Sequence, residues 1–304
     1  MSAESSESWN KASESYAPFE AYTGQFTRAA ATALPGLLPE ISGKLQIMDV
    51  AAGTGASTFA LCKALSDHCK ERGSTAEVLA TDFSEAMLKQ LAEKLRSSSA
   101  DPEVKATQAA EEAGLLKVTS QVADAQDLSA FAEGAFDAIT CSFGIMFPPS
   151  PDKVVREFWR LLKPGGVAIV TTWHYNNIPE SILSDLAHVF KCHGRYEEVP
   201  LAVALQKFSS EGFMRRLFRG ELGDGPLWKN RDLEARFFSG SSTCLPKHLA
   251  AGLNKNPLTS DLGHWDEEAA EKYMSDNWTE ANGQITLQGT ALVLIARKPK
   301  AATP

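Results

Sequence analysis

The stretch "IMDVAAGTGASTFALCKAL", residues 47–65, decides how the chain is read. A run of apolar residues carrying one carboxylate, Asp49, leads into a turn with Gly53 and Gly55, and apolar residues at helical spacing follow. This is a buried strand, a tight turn and a helix. In open α/β sheets such turns lie beyond the carboxyl ends of the strands, where ligands bind. A dinucleotide fingerprint requires GxGxxG, but Thr58 occupies the third glycine position; a P-loop requires GxxxxGK[ST], and no lysine follows. What remains is a turn whose missing side chains at Gly53 and Gly55 let a flat or zwitterionic ligand approach the main chain. Asp49 is placed to receive an ammonium group, directly or through water, or to hold the loop's own amides. A strand-to-helix connection with no ligand is the alternative.

Working outward, strands and helices alternate. "AEVLATD" is a second strand, "SEAMLKQLAEKLRSS" an amphipathic helix with Ser84 as its N-cap, and "SSSADPEVKATQAAEEAG" a polar excursion on the surface. "KVTSQVAD" and "FDAITCSF" are the third and fourth strands, "SPDKVVREFWRLLKPGG" a helix with its stop, and "VAIVTTW" the fifth strand. This alternation predicts a doubly wound α/β fold, a mostly parallel sheet with helices on both faces. After Trp173 the rhythm changes: residues 178–220 read as mostly helical, "RDLEARFFS" as a strand, "DEEAAEKYMSDNW" as a helix and "QITLQGTALVLIARK" as a final strand.

Two further strand ends carry acids. Asp82 closes the second strand and is suited to receiving two ribose hydroxyls, each charged hydrogen bond contributing roughly 1.5–3 kcal/mol; an N-cap role is the alternative, although Ser84 already fills it. Asp124 follows the third strand, where a carboxylate or a neighbouring amide can read the amino edge of an adenine; turn chemistry is its alternative. Together the three strand ends describe an adenosine site without a phosphate fingerprint.

Composition narrows the partners. The chain has 304 residues, 43% of them apolar and 22% charged, with a net charge of -8. That balance speaks against nucleic acid or an anionic membrane surface as main partner. No run of about 18 apolar residues predicts a membrane-spanning helix, and "MSAESSESWNKASESY" lacks the apolar centre of a signal peptide. Five cysteines without CxxC spacing point to a reduced, cytoplasmic protein. No metal site is expected, because His188, Cys192 and His193 lack further ligands at matched spacing. The sequence fixes no oligomeric state.

"DVAAGTGAST", "ATDFSEAML", "ADAQDL", "FDAITCSFGIMF" and "LLKPGG", in that order, resemble the successive motifs of the class I S-adenosylmethionine-dependent methyltransferases, most closely the ubiquinone/menaquinone C-methyltransferase type of small-molecule enzyme. The resemblance covers about residues 45–173 well. It implies a Rossmann-like methyltransferase fold with a seven-stranded sheet and one antiparallel edge strand, S-adenosylmethionine as cofactor, and a small-molecule methyl acceptor. Residue by residue, it implies Asp49, Ala51, Gly53 and Gly55 at the methionine side, Asp82 and Phe83 at the ribose and adenine, and Asp124 and Ala125 at the adenine edge. Ser142 and Phe143 fall at the strand-four exit. Many relatives hold glycine where this chain has Ala51.

Expected domain organisation is a disordered N-terminus at 1–8, a helical lid at 9–40 carrying Trp9, Tyr16 and Tyr22, and a methyltransferase domain at 41–298. Acceptor-site helical insertions fall at about 178–230 and 245–280, and a tail at 299–304. For the acceptor, Tyr16, Tyr22, Met146, Phe147, Trp173 and Tyr175 are the candidate binding residues. Aromatic side chains among them can hold a cation by attraction of about 0.5–2 kcal/mol, or form core instead. His174 is the candidate general base. The expected function is in-line methyl transfer to a metabolite, a non-quinone being favoured because no basic membrane-docking helix is present. Methylation of a protein or RNA, and cofactor binding without turnover as a sensor or scaffold, are the alternatives.

Overall fold

The computed structural model describes residues 3–13, 16–38, 43–174, 207–248, 250 and 267–300. Two helices, α1 (Ala3–Ala12) and α2 (Ala17–Ala33), precede the first strand. Then follow β1 (Lys44–Val50), α3 (Ala56–Arg72), β2 (Thr75–Asp82), α4 (Glu85–Arg96), α5 (Pro102–Glu112), β3 (Leu116–Val122), β4 (Phe136–Ser142), α6 (Pro151–Leu161) and β5 (Leu162–Trp173). The C-terminal part contains α7 (Glu211–Phe218), β6 (Leu233–Cys244), α8 (Glu267–Trp278) and β7 (Ile285–Arg297).

One seven-stranded sheet runs in the order β3-β2-β1-β4-β5-β7-β6. The first five strands are mutually parallel, and β7 is antiparallel to both of its neighbours. The order reverses between β1 and β4, which puts the turn after β1 at the crevice where doubly wound sheets bind ligands. Strands buried on both faces explain the near-continuous apolar runs in β1, β4 and β5. One face packs under α2 and α3 through Ile47, Leu61, Cys62, Ile169 and Ile295; the other packs around Phe158, Leu161, Phe218, Leu294 and Trp228. Cys62 and Cys69 both point into the core.

Local chemistry places the helix ends. Ser84 caps α4 by accepting the Met87 N–H, and Gly73 closes α3 in the left-handed region at φ +62°. The surface excursion expected at 97–114 is instead interrupted by α5. Asp101 caps it by accepting from the Glu103 and Val104 amides, with Pro102 at its first turn, and Val104, Thr107 and Ala110 form its buried stripe. Those three residues are too small and mixed for the apolar period to stand out. Likewise α1 starts at Ala3, within the segment expected to be disordered, because its polar residues find partners at Phe83 and Ser84, just ahead of α4, rather than in a core of their own.

The β6–β7 ribbon is longer than expected and antiparallel throughout. Trp173, the last residue of β5, pairs with Ala291, whereas β6 and β7 continue pairing as far as Cys244 and Ile285, beyond the carboxyl end of β5. Of the segments read as acceptor-site insertions, α7 and α8 are described; residues 175–206 and 251–266, and with them Tyr175, Cys192 and His193, lie outside the described residues. No helix among the described residues is long and apolar enough to cross a membrane.

Candidate functional site

The carboxyl ends of β1, β2, β3 and β4 meet at a narrow cavity of about 60 Å³. Ala51 and Gly53 reach it from β1, Asp82 and Phe83 from β2, Ala123 and Ala125 from β3, and Ser142 and Phe143 from β4. Trp9, Tyr16 and Phe147 supply aromatic wall, and Met87, Cys141, Gly144, Ile145, Pro148 and Val154 complete it.

The turn after β1 is shaped by left-handed backbone at Ala51 (φ +55°), Gly53 (φ +56°) and Gly55 (φ +99°). It is held by the Ala52 N–H donating to the Thr81 carbonyl and the Gly55 N–H donating to the Ala52 carbonyl. The two glycines differ in purpose. A side chain at Gly53 would project into open space on the cavity side, so its absence leaves the main chain approachable. A Cβ at Gly55 would instead press on Phe59 and Leu91, so this glycine permits packing of α3 against α4, and it does not line the cavity.

Asp49 also departs from expectation. It is fully buried and absent from the cavity wall. Its Oδ2 accepts from the Ser57 hydroxyl (2.6 Å) and the Thr58 hydroxyl (2.7 Å), and its Oδ1 from the Thr140 hydroxyl (2.8 Å). Burial pushes its pKa up, against the pull of those three hydroxyls. The carboxylate therefore ties the first turn of α3 to β4. Thr58, the residue that breaks the dinucleotide fingerprint, is one of its donors.

Asp82 does line the cavity and is 8% exposed. Its Oδ2 accepts the Gly53 N–H and its Oδ1 the Ser84 N–H, both at 2.9 Å. Desolvation outweighs these amide bonds and pushes its pKa up to about 6. Each carboxylate oxygen has a further lone pair to offer a hydroxyl donor. Asp124, by contrast, turns back on its own loop and accepts from the Gln126 main-chain amide (2.9 Å) and side-chain amide (3.2 Å). Its neighbours Ala123 and Ala125 line the cavity and Asp124 does not.

At the β4 exit Phe143 adopts φ +55° while its N–H donates to the Thr171 carbonyl. Its ring lies 4.4 Å from Trp173, which stacks on Tyr22 at 5.2 Å and meets Phe26 edge-on at 5.4 Å. Trp173 and Tyr22 thus buttress Phe143 from behind rather than line the cavity, and Met146 is buried in the core. Phe147 does line it and takes Trp9 edge-on at 4.8 Å. Successive side chains on a strand point to opposite faces. His174, one residue beyond Trp173, accordingly lies elsewhere: its Nδ1 is 3.3 Å from the Ser209 carbonyl and its ring meets Phe237 at 4.6 Å. It is not part of the cavity wall.

Three comparisons bear on this arrangement. The family model described as a methyltransferase domain matches residues 48–170. Over 134 residues the chain is 35% identical to a demethylmenaquinone methyltransferase of Clavibacter sepedonicus, covering 44% of this chain and 43% of that protein. Over 139 residues it is 32% identical to a ubiquinone/menaquinone biosynthesis C-methyltransferase of Rickettsia bellii, covering 46% and 48%. The chain thus spans less than half the length of the curated relatives it matches. In fold it is similar to the YcgJ protein of Bacillus subtilis, with a TM-score of 0.51 and 16% identity over 90% of this chain and 99% of that one. Residues 48–170 thus match a methyltransferase domain and resemble the class I S-adenosylmethionine-dependent methyltransferases. Over that part the sequence is similar to the ubiquinone/menaquinone C-methyltransferase type.

S-adenosylmethionine is the methyl donor that this family implies, and the wall suits it. The open space above Gly53 admits a ligand to the main chain, a buried carboxylate stands beside it, and Phe83, Ala123 and Ala125 offer an apolar slot on the other side.

Proposed function

We propose that the chain transfers a methyl group from S-adenosylmethionine to a small-molecule acceptor. The observation that carries this reading is the convergence of four strand ends on one cavity in which Gly53, Asp82, Phe83, Ala125 and Phe143 are neighbours. Asp82 takes the ribose hydroxyls, Phe83 and Ala125 flank the adenine, and the main chain at Gly53 meets the methionine side.

When bound, the cofactor supplies a methyl group on a sulfonium, to be displaced in line by the acceptor's nucleophile. The chain's contribution is then orientation and exclusion of water. Phe143, braced by Trp173 and Tyr22, and Phe147, braced by Trp9, form apolar wall on the acceptor side. No lysine, arginine or histidine is among the described residues of that wall. A nucleophile that needs no base, or one acidic enough to ionise unaided, fits such a site best. The relatives' names make a quinol-type ring the first acceptor to try, beside the non-quinone metabolites favoured by the chain's charge.

The test is incubation of the full chain with methyl-labelled S-adenosylmethionine and a size-fractionated extract, alongside a demethylated quinol. Label entering small molecules is the expected result. Label entering only macromolecules overturns the acceptor class. Tight binding of S-adenosylhomocysteine with no transfer to any fraction favours a binding protein over an enzyme.

A further inference from the structure

Helix α1 crosses the start of α4, and three residues at spacings of four and three face that helix. The Ser6 hydroxyl donates to the Phe83 carbonyl (3.2 Å). Asn10 Oδ1 accepts from the Ser84 hydroxyl (2.7 Å) and the Ala86 N–H (3.2 Å). Just beyond the helix, the Ser13 carbonyl accepts from the Gln90 side-chain amide (2.9 Å). Positions i and i+4 share one helical face, so the Ser6 and Asn10 side chains, with the Ser13 carbonyl beyond them, form a polar seam.

Asn10 is the centre of that seam. The first amides of a helix have no partner within it. Here Ser84 satisfies the Met87 amide, and Asn10, reaching across from α1, satisfies the Ala86 amide. The Ser84 N–H in turn donates to Oδ1 of Asp82, which lines the cavity. A continuous chain of hydrogen bonds therefore runs from the Asp82 carboxylate through Ser84 to Asn10. Trp9, adjacent to Asn10, lines the cavity and meets Phe147 from the far side. The anchored helix thus carries an aromatic ring over the space between the β2 and β4 ends.

We propose that Asn10 is a positioning residue: by capping α4 from outside, it holds Trp9 across the cavity and retains an adenosyl ligand behind α1. This rests on the reading of the cavity as an S-adenosylmethionine site. An acceptor oxygen is what the position requires, so aspartate serves as well as asparagine, and a carboxylate at a helix N-terminus is itself favourable.

Two measurements on the full chain decide it: the dissociation rate of S-adenosylhomocysteine in a chase experiment, and ligand protection of the Lys11 peptide bond against trypsin. In Asn10→Ala, dissociation is expected to accelerate roughly tenfold, the ratio for loss of one charge-free capping interaction, and protection at Lys11 to disappear. Asn10→Asp is expected to restore both. Gln90→Ala loosens the seam from the α4 side and is expected to accelerate dissociation about threefold; it decides the question should Asn10→Ala fail to fold. Dissociation within about twofold of wild type in either alanine variant overturns the inference alone. A wild-type protein that does not bind S-adenosylhomocysteine overturns the methyltransferase reading and this inference with it.

Discussion

Ala51 and Gly144 face each other across the ends of β1 and β4: a methyl group at Gly144 would overlap the Ala51 Cβ and crowd the Cys141 sulfur. Ala51 itself holds left-handed backbone, at a cost of roughly 1–2 kcal/mol for an L-residue. Ala51 is thus accommodated by the absence of a side chain on the adjacent turn. Gly144→Ala is expected to destabilise the protein by about 2 kcal/mol through overpacking. In an Ala51→Gly background the same change is expected to cost at least ~1 kcal/mol less. Urea unfolding of the four variants measures the coupling, and an equal cost of Gly144→Ala in both backgrounds refutes it.

The parts of this site legible in the sequence were those set by chain direction. Strand periodicity and the glycine turn placed Gly53, Asp82 and Phe143 at strand ends, the family resemblance added Ala51, Phe83, Ala125 and Ser142, and all seven line one cavity. Side-chain facing was less legible. Asp49, Asp82 and Asp124 look equivalent in sequence. Yet Asp49 is claimed by hydroxyls eight or more residues away and Asp124 by the nearby Gln126, leaving only Asp82 at the wall. His174 and Trp173 are separated by a single step of the strand alternation, which decides which of them stands behind Phe143. The Ser- and Glu-rich start of the chain gave no apolar period from which α1 could be read, because its seam is made of hydrogen bonds.

Asp49 is expected to matter for stability more than for ligand contact. Asp49→Ala leaves the Ser57, Thr58 and Thr140 hydroxyls without their buried acceptor and is expected to cost about 3 kcal/mol. Asp49→Asn, which keeps one acceptor oxygen, is expected to cost less. Chemical denaturation orders the variants; an Asp49→Ala protein as stable as wild type contradicts the tether between α3 and β4.

His174 is not expected to act on the acceptor. Its ring is engaged with Ser209 and Phe237, away from the cavity wall. His174→Ala should leave the methyl-transfer rate within about threefold of wild type, far from the roughly 10²–10⁴-fold contribution of a general base. It should also leave the pH profile of that rate unchanged. A collapse in rate, with the loss of a limb of the profile near neutrality, restores the histidine to the mechanism.

Asp82 should make ligand affinity depend on pH. Its carboxyl titrates at about 6 in the free protein because burial disfavours the anion. Hydroxyl donors from a ribose favour the anion, so binding lowers that pKa and releases a proton. Affinity for S-adenosylhomocysteine should therefore be level above pH 6 and weaken as the pH falls through it, approaching tenfold per pH unit at the limit. The effect on folding has the opposite sign. An acid titrating higher in the native state than in the unfolded chain binds more protons when folded, so this group contributes stability as the pH falls from about 6 towards about 4. Acid-induced weakening of binding therefore cannot arise from this residue unfolding the protein. Calorimetric titrations between pH 5 and pH 8, at roughly half-unit steps, trace the profile, and Asp82→Asn should flatten it at reduced affinity. A wild-type profile as flat as that of Asp82→Asn would remove the carboxylate from the ribose contact.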